Sequence, residues 1–167
     1  TQSRSSAASD VYKRQLPKSI EEIHQKGDQN WLLALGRELD DAILHLSFNE
    51  PELGTWVFHT EGNLSNVVDY EQFLINQSDD WLAREIILFL KRVLKRIDLS
   101  ARSLISLIEP GSCFSGFLLE LVLASDRSYM LEGSFEDSEE TAPEIIPTSM
   151  NFGSLPMCNG PVSYTHL

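Results

Sequence analysis

Apolar residues recur most regularly in residues 81–97, WLAREIILFLKRVLKRI. Leu82, Ile86, Phe89, Leu90, Val93, Leu94 and Ile97 follow one another in steps of one, three and four. That spacing predicts an amphipathic helix. Ser78, Asp79 or Asp80 can cap its start, and Arg92, Lys95 and Arg96 lie near its negative end. The bases read as a solvated face rather than a binding patch. Upstream, Ile20, Ile23, Trp31, Leu32, Leu35 and Leu39 have helical spacing in part, and Gly27 and Gly36 interrupt it. Two short helices, or a helix and a loop, are expected there. Residues 42–48, AILHLSF, read as a strand, NEPELG as a turn, and residues 55–60, TWVFHT, as a second strand. GNLSNVVDYEQFLINQSDD reads as a long, weakly patterned connection.

The second half of the chain is clearer. Residues 103–109, SLISLIE, form a short run that is apolar on both faces, as a parallel strand covered by helices should be. The turn PGSCFSG, the helix SGFLLELVLAS and the strand RSYMLEG follow. Strand, turn, helix and strand make a βαβ unit, so the expected class is α/β.

Composition narrows the function classes. The chain has 167 residues and a net charge of -12, which speaks against nucleic acid or an anionic membrane surface as partner. The longest apolar run, FLLELVLA, is too short to span a bilayer and carries Glu120. No secretory signal is visible, and a cytoplasmic protein is the expectation. Cys113 and Cys158 make neither a disulfide framework nor a zinc motif, so two reduced thiols are expected. Glu132, Glu136, Asp137, Glu139, Glu140 and Glu144 lie close together without a base among them and without EF-hand spacing. They read as a solvated acidic loop. Residues 1–15, TQSRSSAASDVYKRQ, and residues 161–167, PVSYTHL, resemble translated sequencing-adapter read-through. Both are expected to be non-native, with residues 16–160 forming a partial domain of a chain cut at both sides.

The candidate chemistry gathers at EPGSCFSGFLLELVLASD, residues 109–126. A Gly/Ser turn entering a helix exposes backbone N–H groups at the helix's positive end. Such groups can hold an anion or a carbonyl oxygen that gains charge during reaction. The plainer reading is that Ser112 or Ser115 caps the helix. Glu120 lies in the middle of the apolar helix, and Gly116, Phe117, Leu123 and Ala124 are its neighbours at three and four positions. A buried, unpaired carboxylate is costly. Glu120 must therefore be exposed, paired with a base such as Arg102 or Arg127, or held with a raised pKa for acid/base work.

The run SLISLIEPGSCFSGFLLELVLASDRSYML resembles the signature region of the crotonase (enoyl-CoA hydratase/isomerase) superfamily. There an apolar strand leads through a Gly-rich turn into a helix of the form GGGxELAxxxD. Gly116, Glu120, Leu121 and Asp126 match that form. FGSLPMCNG is similar to the family's LGxxPGxGG stretch, with Gly153, Pro156 and Gly160 matching. The likeness covers roughly residues 40–160 and implies a crotonase-like ββα spiral, truncated. It also implies an acyl-CoA thioester substrate, no cofactor, no metal and a homo-oligomer.

More narrowly, LGTWVFHTEG, RSLISLIEPGSCFSG and MNFGSLPMCNG are similar to the ring-opening lyases of aerobic benzoyl-CoA degradation. These act with water on 2,3-epoxybenzoyl-CoA and release 3,4-didehydroadipyl-CoA semialdehyde and formate. Their chains hold two crotonase-like halves, and this chain is similar to the second. By the same resemblance Glu120 is the catalytic candidate, and the backbone N–H groups at Gly116 and Phe117, with Gly62 from an earlier loop, are the oxyanion candidates. Two departures matter. Phe117 stands where the family has glycine, and Ser149 stands where it often has a second catalytic carboxylate. The expectation is an inactive portion of a carbon-carbon lyase. The alternatives are a crotonase-like packing or dimerisation module, and an enoyl-CoA hydratase that uses Glu120 alone.

Overall fold

The computed structural model describes residues 16–134, 141–156 and 160. Residues 1–15, 135–140 of the acidic segment, 157–159 with Cys158, and 161–167 lie outside the described residues.

The chain begins with α1, Ile20–Lys26, a 3-10 turn at Gly27–Gln29, and the long α2, Trp31–Phe48. Residues 42–48 are therefore the last turns of α2 and not a strand. The reason lies in the spacing upstream. Leu32, Leu35, Leu39, Ile43 and Leu46 advance by three and four, so the apolar stripe continues without a break through a segment whose composition suits a strand. Gly36 does not interrupt this helix. It is buried, and a β-carbon there would lie 2.8 Å from Phe89 Cε1. Here glycine permits α2 to approach its neighbouring helix closely.

Strand β1, Thr55–Phe58, comes next. The segment expected to be an unpatterned connection holds α3, Leu64–Asn76. Its stripe is Val67, Tyr70, Glu71 and Leu74, all buried. A carboxylate within that stripe disguises the apolar period. The helix read from sequence at 81–97 is α4, Trp81–Asp98. Of its three candidate caps Asp80 serves, accepting from the N–H groups of Leu82 and Ala83 at 2.9 and 3.1 Å. Arg96 pairs with Asp40 at 3.1 Å, and the Arg92 guanidinium lies 5.1 Å from the centre of the Phe89 ring. Both support the structural reading of the basic end of α4.

Strand β2, Ser103–Ile108, leads through the Gly/Ser turn and a 3-10 turn at Gly116–Leu118 into the short α5, Leu119–Leu123. Strand β3, Arg127–Met130, follows. The three strands form a parallel sheet in the order β1-β2-β3, so the βαβ unit and the α/β class are as expected. Trp56, Leu104, Ser106 and Ile108 lie on one face of the sheet and are buried. On the other face, Val57 and Tyr129 are 55% and 53% exposed. The core thus lies between one side of the sheet and the helices.

Candidate functional site

The site is built at the elbow between β2 and α5. Gly116 takes φ +50°, a conformation that suits glycine, and so turns the chain from the strand's exit into the helix. The turn brings the Phe117 N–H inward, where it donates to Glu71 Oε2 at 2.8 Å. Glu71 comes from α3 and is 2% exposed. A third segment closes the cluster. Thr148 Oγ1 donates to Glu71 Oε1, and Asn151 Nδ2 donates to the Gly116 carbonyl at 2.8 Å and to Glu120 Oε1 at 2.7 Å. Thr148 caps the 3-10 turn Ser149–Phe152 and Asn151 lies within it, and a reciprocal capping box between the two fixes the turn.

Glu120 is 5% exposed, so of its three sequence readings exposure falls away. Asn151 supports it in place of the bases considered. Arg102 donates instead to the Pro51 carbonyl at 3.1 Å, and Arg127 heads the exposed strand β3. Ser112 and Ser115 do not cap α5 as expected. Ser112 Oγ accepts from the Glu109 N–H at 3.0 Å, which tightens the turn, and Ser115 Oγ donates to the Leu64 carbonyl at 3.2 Å, which ties the turn to α3. The helix start needs no such cap because a 3-10 turn precedes it.

The backbone donors singled out from sequence are all engaged internally. The Phe117 N–H meets Glu71, the Gly116 N–H donates to the Ile146 carbonyl at 3.1 Å, and the Gly62 N–H donates to the Gly111 carbonyl at 2.9 Å. Nor does the structure bring Gly62 and Glu120 to a common space. Gly62 lines an open cleft of about 300 Å³, beside Gly111, Ser112 and Glu144, at the carboxyl ends of β1 and β2. Glu120 lines a separate hollow of about 10 Å³ with Lys91, Lys95 and Leu155, no larger than a water needs.

Glu71 is the residue that sequence reasoning missed. Position 149, where the resemblance implies a second carboxylate, holds Ser149, and the other buried carboxylate of this cluster is Glu71 on α3. Burial pushes the Glu71 carboxyl above the ordinary glutamate range. The hydrogen bonds from Thr148 and Phe117 oppose that shift, and the nearby charge of Glu120 adds to it. The available signal was the spacing of Val67, Tyr70 and Leu74, which puts Glu71 on the inner face of α3. Cys113, in the turn itself, is buried, and its thiol is pushed up to about 11 by that burial.

No protein-family model matches the sequence. The chain is 48% identical over 143 residues to the benzoyl-CoA-dihydrodiol lyase of Aromatoleum evansii. That alignment takes in 86% of this chain and 25% of the relative, so the chain spans about a quarter of the length of the curated protein it matches. The narrower resemblance drawn from its three motifs therefore extends through most of the sequence.

Proposed function

We propose that this chain is a portion of a benzoyl-CoA-dihydrodiol lyase with a crotonase-like ββα spiral, and that the portion itself is not catalytic. The whole enzyme opens the ring of 2,3-epoxybenzoyl-CoA with water. It gives 3,4-didehydroadipyl-CoA semialdehyde and formate, which makes it a carbon-carbon lyase on an acyl-CoA. The identity over 143 residues supports the affiliation. One observation carries the non-catalytic assignment. The Phe117 N–H, which would hold the thioester oxygen, already donates to the buried Glu71 carboxylate. An oxyanion hole works by presenting unsatisfied donors where charge develops. This one is already filled.

On this reading Glu120 is a structural residue held by Asn151, and Gly62 serves its own turn. The test has two arms. The 167-residue chain, incubated with 2,3-epoxybenzoyl-CoA, is expected to release no formate, and formate release above the spontaneous rate would overturn the non-catalytic assignment. The complete enzyme is expected to release formate at a rate that Glu120→Gln changes by less than about tenfold. A loss much larger than that ~1.4 kcal/mol would return Glu120 to the chemistry.

A packing role is a second reading, favoured by the face of the sheet that carries exposed Val57 and Tyr129. It predicts self-association of the chain in sedimentation that Tyr129→Asp weakens.

A further inference from the structure

The contacts of Glu71 resemble those of a bound ligand more than those of an ordinary helix side chain. Its two oxygens are received separately. Oε2 takes the Phe117 N–H at 2.8 Å, and Oε1 takes the Thr148 hydroxyl. The walls are shaped to it as well. A β-carbon at Gly116 would lie 2.8 Å from Glu71 Cδ and closer still to Oε2, so the absence of a side chain there makes the room. Donors and room come from the elbow and from the segment at Thr148, while the carboxylate arrives from α3, far away in sequence.

We propose that the elbow of β2 and α5, with Thr148, forms a cradle for a single carboxylate, which this chain fills with its own Glu71. The inference does not depend on the lyase reading, since it rests only on the donors, the space and their occupant. The cradle's ligand class is a small monocarboxylate, because one N–H and one hydroxyl serve two oxygens of one carboxyl group. When the side chain that fills it is removed, a free carboxylate of the same size can take its place.

The experiment is thermal unfolding of the 167-residue chain and its Glu71→Ala variant in sodium acetate or sodium chloride at equal ionic strength. Glu71→Ala is expected to melt lower. Acetate, and not chloride, is expected to raise its midpoint by a few degrees in a saturable way, as binding to the folded state requires. The wild-type chain should show no acetate-specific gain, and Glu71→Ala/Thr148→Val should lose it. Equal shifts in the two salts, or an equal acetate gain in wild type, would overturn the proposal.

Should Glu71→Ala not fold, the Phe117 amide proton decides. In the wild-type chain its resonance is expected to move as Glu71 titrates, and in Glu71→Gln to stay nearly fixed. Glu120, the titratable group whose charge reaches Glu71, remains in both proteins. A Phe117 resonance that is indifferent to pH in wild type, or that moves equally in Glu71→Gln, would sink the idea.

Discussion

Asp126 Oδ2 accepts a hydrogen bond from the Leu104 N–H at 2.8 Å, so the aspartate just after α5 holds the head of β2. The residue that matched the closing aspartate of a family motif thus has a mechanical task in this chain. It pins the return of the crossover to the central strand. Asp126→Ala leaves that partly buried N–H without its side-chain acceptor. The expected loss is about 1 kcal/mol, measurable as a lower urea midpoint with an unchanged denaturant slope.

Gly116→Ala is expected to be far more damaging. The new side chain must hold a left-handed backbone and displace Glu71 from the Phe117 N–H. The two costs together come to about 2–5 kcal/mol. A melting point within a degree of wild type would mean that the elbow can re-form without its glycine.

The pH dependence of Glu71 has a definite sign. Burial raises its folded-state pKa above the unfolded value. The folded chain therefore holds the proton more tightly. The resulting contribution to stability is fully present below the unfolded pKa and is lost as pH rises through the folded one. Glu71→Gln, which cannot ionise, escapes that loss. Its stability relative to wild type is expected to grow from pH 4 upward, followed by denaturation at a series of pH values. A difference that stays flat or shrinks with pH would show that Glu71 ionises at no cost.

Cys113 is buried and its thiol ionises only near pH 11. Since the thiolate is the reactive form, iodoacetamide at pH 8 should leave the Cys113 peptide unmodified in the folded chain and alkylate it in denaturant. Rapid labelling without denaturant would show that the turn opens.

The three parallel strands and α4 were legible because each carries one unbroken signal. β2 is an apolar run between turns, and α4 has an apolar stripe with a cap at its start. The misreadings share a different cause. At Ala42–Phe48 a composition suited to a strand competed with a stripe that began ten residues earlier, and the tertiary contacts of α2 decided for the helix. In α3 the stripe was hidden by Glu71, since a carboxylate is scored as a surface residue unless its partners are known. Those partners, Phe117 and Thr148, lie 46 and 77 positions away. The same distance hid the support of Glu120, because Asn151 is 31 positions on. Local periodicity reports elements, whereas the occupancy of a buried donor is a long-range fact.

The all-parallel order β1-β2-β3 bears on how the chain comes together during synthesis. Within this chain β1 meets its partner strand only after α3, α4 and then β2 have followed it, and β3 waits on β2 in turn. The sheet must therefore assemble after its helices, through loop closures that carry an entropic cost before any ladder repays it. Until then the Trp56 side chain, buried in the finished fold, is unsheltered, so the interval before β2 emerges is one in which the chain is open to aggregation.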